Sequence, residues 1–389
     1  MKYEYSYCDL PMLECHKAWA EISLDALKEN YNELKKASGE CEHIAVVKAD
    51  AYGHHVAFCV PALLECGCRF FAVSCIEEAI AVRDACNKEN TDANILILGY
   101  TDPQNSSLLS KYNLIQTLLS LEYAEKLGAE AQKCACRVRA HIATDTGMNR
   151  IGIRAQKEDE ILLAADKIEA ATKIGGLSVE GMFTHFYSSD GEDEEITIEQ
   201  AERFVKLKSI LAERGIKLFC HASNSAGSVR FPKYSLDGVR LGIMLYGITP
   251  SKFVPALPIK PVMSFKTVIA HIHKVNKGEK ISYGGDYRAE RDIQVSTLPV
   301  GYADGFLRRY TGAAVTVDNG KAKLQAKIVG RICMDQCMID VTDLSVSLGD
   351  TVTFFGNDVK ELSALAERAG TIEYECLTLI SSRIPRLKK

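Results

Sequence analysis

Over the first 250 positions, short apolar runs alternate with stretches in which apolar residues recur at helical spacing. The runs at 44–47, 69–73, 94–98, 115–119, 137–143, 179–183 and 217–220, with a weaker one at 238–241, read as strands. Between them lie helices such as Leu24 to Ala37, opened by Ser23 as N-cap and closed by Gly39, and Ile76 to Ala85. Strands and helices in alternation imply a parallel sheet with helical crossovers. Eight units of this length predict an α/β fold, a (β/α)8 barrel over residues 1–253. An open, doubly wound sheet is the competing arrangement because the eighth strand is poorly marked, although no G-x-G-x-x-G turn follows the first.

Beyond Pro250 the texture changes. Pro255, Pro258 and Pro261 punctuate a linker, and the helical period disappears. Strand patterns follow at Val268–Val275, Lys280–Tyr283, Gln294–Pro299, Ala314–Val317, Lys327–Val329, Met338–Val341 and Thr351–Phe355, with one late helix from Val359 to Ala369. A second, mostly β domain over 254–389 is the expectation. The length of 389 residues fits this division, because single cores stop growing at about 250–300 residues.

Composition narrows the function. Forty-seven basic and 51 acidic residues give a formal charge of -4, spread along the chain, so nothing points to nucleic acid or a membrane surface. The acidic run Asp190–Glu195 reads as a solvated loop. No apolar stretch approaches the roughly 18 residues of a membrane helix, and charges and tyrosines stand where a secretory signal needs an apolar core. A cytoplasmic protein is expected. The 14 cysteines are scattered, many in apolar runs, and read as small buried hydrophobes. The pairs Cys66/Cys68 and Cys134/Cys136 lack zinc-site spacing, and His54/His55 and His271/His273 lack nearby partners, so no metal is expected.

The candidate chemistry begins at Lys48, which ends the first apolar run and would stand on the C-terminal face of a barrel, where catalytic residues gather. A lysine snorkelling from a strand end is the ordinary reading. Burial would instead lower its pKa and make it a nucleophile toward aldehydes. The loops after the seventh and eighth strands often hold phosphate in barrels. Here Ser225 follows the seventh strand and Arg240-Leu241-Gly242-Ile243 marks the eighth and its exit, and a hydroxyl with glycine-flanked N–H groups suits a phosphate dianion. Ser225 is also readable as a helix cap and Arg240 as half of a structural ion pair.

The stretch AVVKADAYGHH at 45–55 resembles the cofactor-lysine signature of the alanine racemase family. HASNSAGSVRF at 221–231 and GVRLGIMLYGITP at 238–250 resemble its phosphate segments, and further motifs follow in family order from Trp19 to Arg386. The resemblance implies an amino-acid racemase that uses pyridoxal 5'-phosphate, held covalently by Lys48, with Tyr52, Ser225, Gly242, Ile243 and Tyr374 at its phosphate. Arg240 matches the arginine facing the pyridine nitrogen. Always protonated, it can only donate there, which keeps that nitrogen unprotonated.

Racemisation removes a proton from one face of Cα and returns one on the other, so two bases are the simplest arrangement. The resemblance assigns Lys48 to one face and Tyr283 to the other. A phenol with pKa near ~10 needs its anion stabilised to act at neutral pH. That task falls to His185, in contact with Arg240. Met334 and Tyr302 match residues near the substrate, and Arg150 matches one that touches the cofactor's phenolic oxygen and the substrate. A homodimer is implied in which Tyr283 enters the site from the partner subunit. The implied role is interconversion of L- and D-alanine, supplying D-alanine for peptidoglycan.

One departure matters. The family commonly carries a carbamylated lysine two residues before the aspartate of its D-T-G-M segment, where it orients the arginine matched by Arg150. Ala143 stands there instead. A small anion such as chloride, or a nearby amide side chain, is the expected substitute. The nearest alternative is a serine racemase of the vancomycin-resistance type, whose members tend to carry asparagine where Tyr374 stands. A non-catalytic cofactor-binding barrel would lack the second domain and Tyr283. Related decarboxylases place an acidic residue where this chain has Arg240.

Overall fold

The computed structural model describes residues 16–389. They divide into two compact units, one of Leu27–Ala51 with His55–Ile259, the other of 16–26 with Tyr52–His54 and Lys260–Lys389.

In the first unit all eight expected strands form: β1 (Glu42–Val46), β2 (Phe70–Val73), β3 (Asn94–Ile97), β4 (Ile115–Leu118), β5 (Val138–Asp145), β6 (Leu177–Phe183), β7 (Phe219–His221) and β8 (Gly238–Leu241). Each pairs in parallel with the next, and β8 returns to β1 with Gly238 opposite Glu42 and Leu241 opposite Ala45. The sheet is therefore a closed (β/α)8 barrel, and the open arrangement is excluded. The strands are largely apolar because helices cover their outer face and side chains fill the lumen. Ile44, Ala45, Phe71, Ala72, Ile95 and Leu96 are fully buried.

The helices follow their expected signals. Leu24–Ser38 starts where Ser23 Oγ accepts from Ala26 N at 3.2 Å, and Gly39 stops it at φ 80°. Ile76–Lys88 runs nearly a turn past its expected end.

Rings plug the lumen. Phe183 stacks on His221 at 5.0 Å, and His141 packs against Phe70 and Phe219 at 6.0 and 5.9 Å between centroids. Two glycines make the room. A Cβ on Gly181 would lie 2.7 Å from the His141 ring, and one on Gly238 would lie 2.7 Å from the ring of Phe219.

The second unit is built on a nine-stranded sheet in the order His271–Val275, Ile293–Leu298, Cys337–Asp340, Lys323–Val329, Ala314–Asp318, Thr351–Phe355, Met263–Val268, Ala18–Ile22, Arg386–Lys388. Only the last pair is parallel. The helix Val359–Ala369 forms as expected.

Three features differ from the sequence expectation. Ala18–Ile22 pairs with Met263–Val268 and belongs to this unit, whereas the division at 253/254 placed it with the barrel. Its partner is more than 200 positions away, and periodicity carries no record of so distant a pairing. Met263–Val268 itself lies where proline spacing marked a linker, because its buried Met263, Phe265 and Thr267 begin directly after Pro261. Finally, only Lys280–Ile281 of the segment ending at Tyr283 is strand, paired with Tyr287–Arg288. Tyr283–Gly285 turns away because Gly284 and Gly285 take positive φ.

Among the described residues, no helix is long and apolar enough to cross a membrane and no group of three or more His, Cys, Asp or Glu is placed to hold a metal ion. None of the described cysteines forms a disulfide.

Trp19 is the chain's single tryptophan and sits on Ala18–Ile22, so its fluorescence reports on the second unit although it lies near the start of the sequence. Phe265→Ala, at a fully buried site of that unit, should cost about 3–5 kcal/mol and move the Trp19 unfolding transition to lower denaturant. An unmoved transition would contradict the placement of this strand.

Candidate active site

After β1 the chain enters one turn of left-handed helix. Ala49, Asp50, Ala51 and Tyr52 have φ of 53°, 51°, 57° and 54°, directly after Lys48. Each such residue costs roughly 1–2 kcal/mol, so bonds must hold the turn. The Glu78 carboxylate accepts from Ala49 N at 2.6 Å with one oxygen and from Ser74 N at 2.7 Å with the other. Asp50 accepts from Val56 N at 2.7 Å through its side chain and from His55 N at 3.0 Å through its carbonyl. Lys48 is thereby fixed at the C-terminal end of β1, mostly buried. Burial first, then the neighbouring charge of Arg150, holds its pKa below the usual lysine value, with Arg240 adding and Glu78 opposing.

Arg240, on β8, is 3 % exposed. Its Nη1 donates to His221 Nδ1 at 2.8 Å and His221 O at 3.1 Å. Its Nη2 donates to Thr184 O and Ala222 O, both at 2.8 Å, and to His185 Nδ1 at 3.2 Å. No described residue accepts from its Nε–H. Burial, then Arg150, brings its pKa down to about 9, which leaves it cationic at neutral pH.

A guanidinium only donates, so three histidine tautomers follow from this one residue. His221 accepts at Nδ1, carries its hydrogen on Nε2, and donates to His141 Nδ1 at 3.0 Å. His141 therefore carries its own hydrogen on Nε2. His185 accepts at Nδ1 and likewise presents an Nε2–H. All three rings are neutral. Burial is the main cause, pushing His141 down to about 3 with help from Arg139, and His185 down to about 3 with help from Arg240, Arg150 and Lys48. His221 is pushed well below its ordinary value by burial, then by Arg240 and His141.

Next to this cluster lies a hydroxyl and amide cradle. Asn224 caps the short helix Ser225–Arg230, accepting from Gly227 N at 2.9 Å, which leaves Ser225 out of the capping role. Ser225 Oγ instead accepts from Gly242 N at 2.7 Å, where the turn Ile243–Tyr246 begins. Ser225, Gly242 and Ile243 are all buried.

Arg150 is exposed in the loop after β5, and its charge reaches Lys48, His185 and Arg240. Ala143 is buried, and no amide side chain among the described residues bonds to Arg150. The amide substitute expected for the family lysine is therefore not in place.

The remaining expected site residues belong to the second unit. The rings of Tyr52 and Tyr374 lie 6.2 Å apart. Tyr283 and Met334 line one cavity of about 670 Å³ together with His273, Ser282 and Cys333. Tyr283 is 70 % and Met334 53 % exposed. Tyr302 joins them, since Tyr302 N donates to Cys333 O at 3.0 Å and Ala303 N to Met334 O at 2.9 Å. Buried Asp304 holds this turn by accepting from Gly301 N at 3.1 Å and from Lys17 Nζ at 3.2 Å.

Sequence reasoning missed Glu78, the two further histidines and the left-handed turn. His141 and His221 were visible only as polar interruptions of apolar strands. Glu78 looked like any acidic residue in the first turn of a helix.

The histidines make a testable demand. A histidine whose pKa is depressed by folding is neutral in the folded chain and takes up a proton on unfolding. Stability present above the ordinary value of 6.5 is therefore lost as pH falls toward about 3. Unfolding at pH 5 should take up a proton at each of the three, steepening the decline by ~1.4 kcal/mol per pH unit for each ring. In His141→Asn, which keeps an acceptor toward His221, proton uptake should fall by about one. Unchanged uptake would mean that His141 is already charged in the folded chain.

Comparison with known proteins places this geometry. The family model described as alanine racemase, N-terminal domain, matches residues 22–250, and that described as alanine racemase, C-terminal domain, matches residues 262–388. The chain is 42% identical over 380 residues to the alanine racemase of Clostridium tetani, spanning 95% of this chain and 94% of that protein. It is similar to the solved structure of alanine racemase from Clostridium difficile 630, with a TM-score of 0.88, 35% identity and 97% of each chain covered. It is also similar to the structure of a histidine racemase from Leuconostoc mesenteroides subsp. sake, with a TM-score of 0.84, 26% identity, and 97% of this chain and 99% of that chain covered. With both domain models matched in order and the barrel residues assembled as described, the chain belongs to the alanine racemase family.

Proposed function

We propose that this protein interconverts L- and D-alanine with pyridoxal 5'-phosphate. It does so as a homodimer in which Lys48, His185 and Arg240 of one subunit meet Tyr283 of the partner subunit. The observation that carries the reading is the state of Arg240. Its Nη hydrogens are taken by protein acceptors, while the Nε–H has no acceptor among the described residues and is free to meet a pyridine nitrogen.

The donor set fits the cofactor. Lys48 has a lowered pKa and supplies the amine. Ser225 Oγ, which accepts from Gly242 N and keeps its own hydrogen to donate, and the amide of Ile243 form a buried cradle suited to a phosphate, at the ends of β7 and β8 where barrels often bind one. Tyr52 and Tyr374, whose rings lie 6.2 Å apart, match the family's two phosphate-binding tyrosines. Bound there, the cofactor would supply a carbonyl that captures the substrate amine and a conjugated ring that spreads the charge left at Cα.

The chain's own groups then divide the work. Lys48, depressed by burial and by two arginines, is a competent base on one face of Cα. On the other face the phenol of Tyr283 exchanges the proton. The Nε2–H of His185 donates to it, and Arg240 stands behind His185 as a cation. Arg240, which can only donate, would hold the ring nitrogen through its Nε–H and keep that nitrogen unprotonated, limiting how far the ring withdraws electrons.

The fold alone does not choose the side chain, since the same architecture serves a histidine racemase. Tyr374, where serine racemases of this fold tend to carry asparagine, supports alanine as the substrate. One extra hydroxyl is discriminated only moderately, so slower turnover of serine is expected. D-Alanine made in this way would supply peptidoglycan.

Purified protein loaded with the cofactor and given L-alanine or L-serine separately should racemise alanine much faster by chiral product analysis. Equal or faster serine turnover would overturn the substrate assignment. Shared sites are tested by mixing. Lys48→Ala and Tyr283→Phe should each be inactive alone, yet exchange of subunits between them should restore roughly a quarter of wild-type activity, the statistical share of intact sites in a two-fold dimer. No recovery in mixtures that contain the hybrid dimer would mean that both groups act within one subunit.

A further inference from the structure

The loop carrying Tyr283 rests on a strained residue. Ser282 has φ 66° and ψ −175°, a region that is essentially glycine's. Such a conformation persists only where its surroundings over-determine it. The Ser282 hydroxyl donates to Arg331 O at 2.5 Å and lies 3.4 Å from Cys333 Sγ. Its one hydrogen goes to Arg331, so it can only accept in the second contact, from a thiol that also lies 3.7 Å from Arg331 O. Ser282 O in turn accepts from Gly285 N at 3.2 Å.

The opposing segment is shaped to allow this grip. Gly330 has φ 69°, and a Cβ on it would lie 2.9 Å from both Ser282 Cβ and Ile281 O. On the far side of the turn, Arg331 Nε pairs with Asp286 at 2.5 Å. The segment 330–333 thus holds the Tyr283 turn at both ends and leads directly into Met334.

We propose that Ser282 is a positioning residue for Tyr283: its hydroxyl, bonded to Arg331 O, keeps the backbone in a glycine-type conformation and so sets the direction of the phenol. This rests on the reading of Tyr283 as the second base. The consequence is an unusual order among the two smallest replacements. Ser282→Ala keeps the Cβ and loses the bond, so the backbone relaxes toward ordinary φ and carries Tyr283 with it. Ser282→Gly loses the bond too, but glycine takes φ 66° without steric cost.

The test uses the dimeric holoenzyme with α-deuterated and ordinary L- and D-alanine, and amide hydrogen exchange across 280–288. Ser282→Ala should lower kcat by roughly tenfold to a hundredfold with little change in KM, as expected for misplacement of a catalytic group. It should also raise the α-deuterium isotope effect only in the direction in which Tyr283 removes the proton, and exchange across 280–288 should quicken. Ser282→Gly should retain most of the activity. An alanine variant as active as wild type, a glycine variant worse than the alanine one, or isotope effects that rise equally in both directions would overturn the proposal. Tyr283→Phe separates the two levels. If turnover survives it, the reading of Tyr283 fails. If turnover collapses there but Ser282→Ala is silent, only the role of Ser282 fails.

Discussion

A guanidinium buried among strand ends is tolerable only if its hydrogens are taken, because stripping its water costs several kcal/mol. Arg240 meets that condition at both Nη groups, with acceptors from two other strands, and among the described residues leaves only its Nε–H without one. Thr184 and His185 follow β6, and His221 and Ala222 end and follow β7. One side chain on β8 therefore ties three adjacent strand ends together at the face where chemistry occurs. Because it can only donate, it also dictates where the hydrogens of His221, His141 and His185 lie. The polar interior of the barrel is written outward from this one cation.

The proposed bases share a second feature. Lys48 is followed by four residues of left-handed backbone, and Tyr283 is preceded by one residue in a glycine-type region. At ~1–2 kcal/mol for each left-handed residue, these departures consume a sizeable part of the roughly 5–15 kcal/mol that holds a domain folded. They survive because short polar groups close over them: Glu78 and Asp50 around the first, Ser282 and Arg331 around the second. Strain of this kind concentrates where a side chain must point in one direction only.

The barrel was legible because both faces of its strands are largely buried and most runs are therefore rich in apolar residues. The weakly marked eighth run is instructive. Arg240 interrupts Val239 and Leu241, so the residue that blurred the strand signal is the one the strand places. The second unit was less legible. Ala18–Ile22 is five residues long and pairs across most of the chain, and the turn after Ile281 depends on two successive glycines. In the site, resemblance supplied the roles of Lys48, Ser225 and Tyr283. It did not supply charge states, because those depend on burial and on which acceptor faces which donor, and neither is a property of local sequence.

The charge state of His185 changes the logic of the proposed relay. Resemblance gave His185, in contact with Arg240, the task of stabilising the phenolate and left its charge open. Burial and three neighbouring cations make His185 neutral. A protonated imidazole with an ordinary pKa would gain and lose its charge within the working range, and support for the phenolate would vary with it. Here the charge sits on Arg240, whose pKa of about 9 keeps it cationic at neutral pH. His185 passes that influence on through a single fixed N–H. In the proposed relay, separating the charge from the hydrogen bond would let a tyrosine act near neutrality without a second group that titrates there, and the same guanidinium would still have an Nε–H to offer a cofactor ring.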